Sequence, residues 1–406
     1  MRDYRLKKES PWTPEARATV WIGFALRLLM LIIILYVASE FWDIYHIEDD
    51  KGYEELAAVY RANAQGVFDM DLFATLTKGY AATFWPAVMC FTTALFNYIY
   101  VVRFINIILS TVCIAVTYNL CYEIAGSEKT ALTAARIFAY LPFSILTCCF
   151  PIKDIFIMLG ALYAFYIFVR IQNNHKVAIH QFVLLTVLLI CVYFCRGAVT
   201  ELLLIYLVIY YLQRLFRAKR YVSALMLLMG AVAVFAVFRD QILSSFMVKL
   251  DNYDYNAVSA AAGLNAIRVT GVLDLYKLPL SYAFCMLQPL ALELFSPITD
   301  TRPWLTVMSF SNITIYPVAI GAWLYMFVKK HNLFFWLSSF VMFSAVTILS
   351  LGVSRHYLFL LPVHMINCSL YLDDRNENFK SRKTLVILGT FALFVLVFCY
   401  SLVKLF

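Results

Sequence analysis

Residues 18–40 read ATVWIGFALRLLMLIIILYVASE, and residues 46–57, a few positions later, read HIEDDKGYEELA. The first stretch has Arg27 as its one charged residue before Glu40, and its length lies within the roughly 17 to 25 apolar residues that cross a bilayer. The second stretch holds five carboxylates. The pattern predicts a membrane-spanning helix followed by an acidic loop, and carboxylates at a membrane surface are either solvated or functional.

Composition extends this prediction to the whole chain. Of 406 residues, 63% are hydrophobic and 14% are charged, which is far more apolar than a soluble globular protein. We therefore predict an all-α polytopic membrane protein that forms a single integral membrane domain over residues 1–406. The net charge of +8 is explained by basic residues near the bilayer, so nucleic acid is not a predicted partner. The ten cysteines fall mostly in hydrophobic runs and are predicted to be core residues.

About eleven spans meet the length requirement. The basic head before the first span, with five Lys or Arg in 17 residues, predicts an uncleaved anchor and a cytoplasmic N-terminus. Alternation then places the basic clusters, such as 214–220, in the cytoplasm, provided that 79–97 lies in the outer interface or dips and returns. The predicted spans are 18–40, 101–122, 130–149, 154–170, 178–195, 198–213, 221–238, 306–328, 333–351, 356–372 and 384–403.

Two long acidic segments, 41–100 and 239–305, are predicted to face outward in this topology. Each contains amphipathic or apolar pieces suited to juxtamembrane helices that lie in the headgroup region. These pieces are 53–64, 80–97 and 278–296.

The acidic loop resembles a known sequence element. Asp49-Asp50-Lys51-Gly52-Tyr53-Glu54-Glu55-Leu56-Ala57 is similar to the D-[DE]-x-x-Y-x-x-x-A element of GT-C glycosyltransferases, the superfamily of family 39, protein O-mannosyltransferases and the lipid A aminoarabinose transferase. Further features follow in the same order. They are Lys78, the span opening at Arg103 and Asn106, the Lys153-Asp154 loop, and Ser354-Arg355-His356-Tyr357 with Pro362.

The resemblance implies a GT-C-like fold and a sugar transferase that uses a polyprenyl-phosphate-linked donor. It implies that Asp49 is the general base, that Asp50 assists it or holds a divalent cation, and that the anomeric configuration inverts. The acceptor would be a glycan or lipid at the outer face of a bacterial inner membrane. The predicted substrate-binding residues are Tyr53, Lys78, Lys153, Asp154, Arg196, Arg355 and His356, with cations holding the departing phosphate.

Each assignment has a structural alternative. Asp49 and Asp50 solvate a loop in that view, Lys78 and Arg355 anchor the chain at the interface, and Asp154 pairs with Lys153 or caps a helix. Three further expectations concern other charged residues. Glu201 neutralises Arg196, Glu54 and Glu55 face water, and Arg27 and Arg136 are buried pairing residues without a catalytic role.

Two other functions remain open at this stage. A surface-polysaccharide polymerase would use lipid-linked substrates at the same leaflet. A transporter of lipid-linked or anionic substrates would show internal repeats and helices interrupted at mid-membrane, and the sequence shows neither clearly. The identity of the sugar, the acceptor and any metal stays open.

The topology gives a first prediction. In Gly66→Cys, an impermeant thiol reagent should label position 66 from the outside of intact cells, whereas Ala218→Cys should react only after the cytoplasmic side is opened. Wild-type protein controls for the native cysteines. Labelling of both positions from one side would refute the topology.

Overall fold

The structure, a computed structural model, describes residues 12–38, 50–78, 83–98, 100–217, 219–237 and 358–373, with isolated positions at 276–277, 318, 322 and 388. Across these residues the chain is helical and contains no strand. The helices are α1 (Pro14–Ile32, continued by a π-helical turn, Ile33–Ala38), α2 (Asp50–Asn63), α3 (Met70–Leu76), α4 (Phe84–Phe96), α5 (Val101–Ala125), α6 (Glu128–Tyr140), α7 (Pro142–Thr147), α8 (Asp154–Gln172), α9 (Ile179–Arg217), α10 (Tyr221–Val237) and α11 (Leu361–Asp373).

Four described helices are long and apolar enough to cross a membrane, so the chain is a helical membrane protein. They are Pro14–Tyr36, Val101–Ala125, Asp154–Gln172 and Ile179–Gly197. The spans predicted at 198–213, 221–238 and 356–372 correspond to the shorter apolar helices Val199–Val208, Tyr221–Gly230 and Leu358–Asp373. Those predicted at 306–328, 333–351 and 384–403, and the outer piece 278–296, lie outside the described residues, so the count of eleven stays a prediction.

The segment predicted to span at 130–149 is not one helix. α6 ends at Tyr140, Leu141 is extended (φ −65°, ψ 119°), and α7 starts at Pro142 and ends at Thr147. A residue before proline is driven out of the helical region by the proline ring, and proline itself suits the first position of a new helix. The stretch predicted as the span 130–149 is therefore divided into two helices.

α5 lies at the centre of the described bundle. It packs against α1, α6 and α8, while α11 packs on α6. Arg103 and Glu123 lie near opposite ends of α5, about 30 Å apart at 1.5 Å per residue, which matches the hydrocarbon thickness of a bilayer. Charged side chains gather near both residues, and we refer to the two ends of the bundle as the Arg103 end and the Glu123 end.

The Glu123 end is held by ion pairs. Glu123 lies 2.9 Å from Nδ1 of His175 and 3.6 Å from Nε of Arg170, so the ends of α5 and α8 are joined. Lys129 of α6 lies 3.4 Å from Asp373 at the end of α11. These contacts join α5 to α8 and α6 to α11 at the Glu123 end.

Arg27 is fully buried in α1, as expected, whereas Arg136 is exposed on α6, so the prediction for Arg136 is wrong. The Arg27 guanidinium donates hydrogen bonds to the hydroxyls of Ser110 and Ser144 at 2.9 and 2.7 Å, and to the carbonyls of Gly23 and Ala139 at 2.9 and 3.0 Å. It joins α1 to α5, α6 and α7 through neutral oxygens.

α9 reverses direction at Arg196, whose backbone is not helical (φ −159°, ψ 87°). The hydroxyl of Thr200 donates a hydrogen bond to the carbonyl of Leu189 at 3.3 Å. In a straight helix these residues would be about 16 Å apart, so the two arms of α9 run side by side. The predicted division between spans 178–195 and 198–213 is confirmed at this turn.

A close contact between α8 and α9 gives a second prediction. A Cβ added at Gly160 would stand 2.5 Å from Cγ2 of Val192, a buried and conformationally stiff side chain. We expect Gly160→Ala to lower the unfolding free energy by about 1 to 3 kcal/mol, measured by thermal or denaturant unfolding in detergent, and Val192→Ala to relieve part of the loss. Gly230→Ala, where a Cβ meets nothing within 4 Å, is the matched control. Equal effects at positions 160 and 230 would contradict the contact.

Candidate functional site

A buried ion pair joins the acidic element to the membrane bundle. Arg103 donates Nε to Oε1 of Glu54 at 2.6 Å and Nη2 to Oε2 at 3.0 Å, so the pair is bidentate. The side chains are 0% and 6% exposed. The Arg103 guanidinium also lies over the rings of Tyr100 and Phe150, at 5.6 and 5.7 Å from their centroids. α2 is thereby attached to the start of α5.

Four consecutive carbonyls, of residues 149–152, accept hydrogen bonds from side chains of α4 and α5. We call this segment the carbonyl loop. A loop with no regular structure leaves its carbonyls without ladder partners, and a buried carbonyl without a partner costs free energy. The bonds are Arg103 Nη1 to Cys149 at 3.4 Å, Asn106 Nδ2 to Phe150 at 2.7 Å and to Ile152 at 3.0 Å, and Trp85 Nε1 to Pro151 at 2.9 Å.

The carbonyl loop leads directly into Lys153 and Asp154. Asp154 is the first residue of α8, where the partial positive charge of the helix N-terminus favours a carboxylate. Its Oδ1 lies 3.0 Å from Nη2 of Arg196, and the two side chains are 4% and 14% exposed. The pair connects the start of α8 to the turn of α9.

Three of the predicted site residues lie outside the described residues. They are Asp49, Arg355 and His356. Asp50 is the first residue of α2, one turn before Glu54, and Tyr53 is buried in the bundle core. Lys78 is exposed and lies two residues past the end of α3.

The structure brings together elements that are distant in sequence. The helix that begins at Asp50 and the loop that ends at Asp154 meet at the Arg103 end, because Arg103 bonds to Glu54 and to the carbonyl loop. Asp154 lies 3.0 Å from Arg196 there, and Lys153 precedes Asp154 in the chain.

The prediction for one of the two adjacent glutamates of α2 is wrong. Glu54 was expected to face water, but it is 5% exposed and paired with Arg103, whereas its neighbour Glu55 is exposed and lies 3.9 Å from Lys51. In a helix of 3.6 residues per turn, the side chains of adjacent residues point about 100° apart. The sequence of two neighbouring glutamates alone does not say which of them faces the bundle. Glu201 was expected to neutralise Arg196, and the structure shows Asp154 paired with Arg196.

Sequence reasoning did not assign a role to the donors that hold the carbonyl loop. The side chains of these donors, Trp85, Arg103 and Asn106, belong to residues that are at most 1% exposed. The available signal was the spacing of Arg103 and Asn106, which puts both on one face of a helix at the edge of a span, where charged and amide groups need a partner. Nothing in the sequence identified backbone carbonyls as that partner.

Asp69 fixes the start of α3, the short helix that follows α2. Asp69 caps α3, because its carboxylate accepts hydrogen bonds from the amides of Leu72 at 3.0 Å and Gln65 at 3.1 Å. These bonds hold the pKa of Asp69 below its usual value, with the Leu72 amide the larger cause.

Among the described residues, no group of three His, Cys, Asp or Glu side chains is arranged to hold a metal ion. A cation at Asp49 and Asp50 stays a prediction.

No protein-family model matches the sequence, and no curated protein matches it. A solved structure similar to this chain is the archaeal oligosaccharyltransferase AglB from Archaeoglobus fulgidus, in complex with an inhibitory peptide and a dolichol-phosphate. The TM-score is 0.49 and the sequence identity is 12%, over 95% of this chain and 56% of that one. The chain thus spans little more than half the length of that protein.

The buried pair gives a third prediction. Glu54→Gln leaves Arg103 without its bidentate carboxylate, and we expect the unfolding free energy in detergent to fall by about 3 to 5 kcal/mol, the usual cost of breaking a buried ion pair. Glu55→Gln removes the neighbouring exposed carboxylate and should change stability by less than about 1 kcal/mol. Indistinguishable unfolding curves for the two variants would contradict the assignment.

Proposed function

We propose that the protein transfers a sugar from a polyprenyl-phosphate donor to an acceptor hydroxyl at the outer face of the membrane. The observation that carries this proposal is the contact of Arg103 with both Glu54 of α2 and the carbonyl loop. It holds the helix beginning at Asp50 and the loop ending at Asp154 at one end of an apolar bundle, where a lipid-anchored donor and a water-borne acceptor meet. The resemblance of the acidic element to GT-C enzymes supports the same reaction.

The acceptor oxygen attacks the anomeric carbon in a single displacement. The bond from that carbon to the phosphate oxygen breaks, its electron pair leaves with the polyprenyl phosphate, and the acceptor proton passes to the base. Attack opposite the leaving group inverts the configuration. We assign the base to Asp49, with Asp50 beside it sharing the proton, orienting the acceptor or holding a divalent cation.

The departing phosphate requires cations. Lys78, Lys153 and Arg355 are our candidates, together with the Arg196 guanidinium, which uses one nitrogen for Asp154 and has other N–H groups for a phosphate. Asp154 holds Arg196 at the membrane boundary in this scheme. Tyr53 and His356 are assigned to substrate contact by position in the family-like elements.

The base assignment gives a fourth prediction. Asp49→Asn keeps size and hydrogen bonding but cannot accept the proton, so we expect transfer to fall by about 100- to 10,000-fold. The measurement is sugar transfer by purified protein in nanodiscs, with donors identified by mass spectrometry of polyprenyl-linked glycans in cells with and without the gene. Asp50→Asn should lose less unless the two carboxylates titrate as a pair.

Glu55→Gln is the control in the same helix, since Glu55 is exposed and pairs across the surface with Lys51. Full activity of Asp49→Asn would remove Asp49 from the mechanism. Unchanged polyprenyl-linked and surface glycans in cells lacking the protein would oppose the transferase function itself.

A further inference from the structure

Two adjacent cysteines lie where α7 meets the carbonyl loop. Cys148 caps the C-terminal end of α7, and Cys149 contributes the first carbonyl of the carbonyl loop. Both residues are fully buried, and both thiols are free. The two thiols donate hydrogen bonds to the same acceptor, the carbonyl oxygen of Ile145, with sulfur-to-oxygen distances of 3.0 and 3.3 Å. The two sulfur atoms therefore converge on one point.

A disulfide between neighbours in the chain is strained. Adjacent Cα atoms are about 3.8 Å apart across a trans peptide, whereas disulfide-linked Cα atoms are usually roughly 4.4 to 6.8 Å apart. Strain makes a disulfide easier to reduce, and strained disulfides are typically the labile or regulatory ones. A link between Cys148 and Cys149 is therefore suited to reversible formation and not to permanent bracing.

We propose that Cys148 and Cys149 form a redox-modification site, at which a membrane-soluble quinone reversibly oxidises the two thiols to a disulfide. Both sulfur–hydrogen bonds break and the sulfur–sulfur bond forms. The two protons and two electrons pass to the quinone, which becomes a quinol. The class of oxidant follows from the location, because a charged oxidant from water would lose its hydration inside an apolar bundle.

The oxidant reaches the thiols by local opening at α7. This helix has six residues, and so short a helix depends on its packing more than on its own hydrogen bonds. Local opening exposes buried groups without unfolding the remainder of a protein. A small apolar quinone dissolved in the bilayer is therefore able to react with thiols that are buried in the closed structure.

Closing the link changes the peptide unit between the two cysteines. In the reduced protein the amide of Cys149 donates a hydrogen bond to the carbonyl of Leu146 at 3.1 Å. The bond from Arg103 to the Cys149 carbonyl, at 3.4 Å, is the longest of the four that hold the carbonyl loop. Since a disulfide between adjacent residues requires this peptide unit to turn or to depart from planarity, we expect both bonds to be lost.

The disulfide acts on the transferase site through the carbonyl loop, and in this respect the inference rests on the proposed function. The loop leads directly into Lys153 and Asp154, so a loop released from Arg103 no longer holds those charges in one place. Misplacing a group in an active site by about 1 Å can cost on the order of 100-fold in rate. We therefore expect the disulfide form to transfer sugar at least about tenfold more slowly than the reduced form.

The first test follows the covalent change and needs no sugar transfer. The full chain in nanodiscs is treated with a short-chain ubiquinone or, separately, with ferricyanide, a charged oxidant that stays in water. After ubiquinone alone, mass spectrometry should show the peptide containing Cys148 and Cys149 lighter by two hydrogen atoms, and dithiothreitol should restore both thiols. Thiols that stay reduced under ubiquinone, or equal oxidation by the two reagents, would overturn the proposal.

Matched variants separate this pair from other buried cysteines. Cys148→Ala removes one thiol of the pair, so ubiquinone should no longer slow transfer. Cys148→Ser, which keeps a donor for the Ile145 carbonyl, serves the same purpose if the alanine variant is unstable. Cys121→Ala removes an equally buried thiol near the Glu123 end and should stay as sensitive as the wild type. Undiminished sensitivity without the Cys148 thiol would contradict the assignment.

Hydrogen exchange distinguishes failure of this inference from failure of the proposed function. The disulfide should speed exchange of the amides of Cys149 and Phe150, whose acceptors are the carbonyls of Leu146 and Thr147. The amide of Gly126, at the Glu123 end, should exchange as before. Unchanged exchange in protein that carries the disulfide would refute the effect on the carbonyl loop. A disulfide with faster exchange, in a protein that transfers no sugar even when reduced, would count against the proposed function alone.

Discussion

A guanidinium withdrawn from water keeps its charge, so its N–H groups need acceptors, and Arg103 obtains three of them from two parts of the chain. Two go to the Glu54 carboxylate on α2 and one to the carbonyl loop ahead of α8. Taking both charges out of water costs several kcal/mol, which the bidentate geometry offsets. Arg103 therefore connects α2 to the carbonyl loop, which Asn106 and Trp85 also hold in place.

Arg27 shows the other solution to the same constraint. It lies in the interior of a span and is satisfied by hydroxyls and carbonyls of four helices, with no carboxylate in contact among the residues that the structure describes. Neutral acceptors let the guanidinium join helices without attracting a second charge into the bilayer. The contrast separates a structural arginine at mid-membrane from one that connects a loop to the bundle at its edge.

Several elements could be predicted from the sequence because a single physical rule dominates each. Hydropathy and length located α1, α5, α8 and the arms of α9. The predicted juxtamembrane pieces 53–64 and 80–97 correspond to α2 and α4. The break at Leu141 was also signalled, by the proline that follows, but the apolar run hid it. The pairing of Glu54 with Arg103 and that of Arg196 with Asp154 could not be predicted. Partners depend on helix rotation and packing, which a single sequence does not encode locally.

The side chains that bind the carbonyl loop also position the residues that follow it. Every carbonyl from residue 149 to residue 152 is bonded to a side chain, so the segment that ends at Asp154 has little freedom to move relative to α5. Displacement of a sugar from a phosphate gains most from groups held in place before reaction, because reorganising charged side chains in a dry site costs free energy at the transition state. Trp85, Arg103 and Asn106 touch no reacting atom in this scheme. They act by fixing where Lys153, Asp154 and Arg196 stand, and a site at the edge of a bilayer needs such support because neither water nor lipid supplies it.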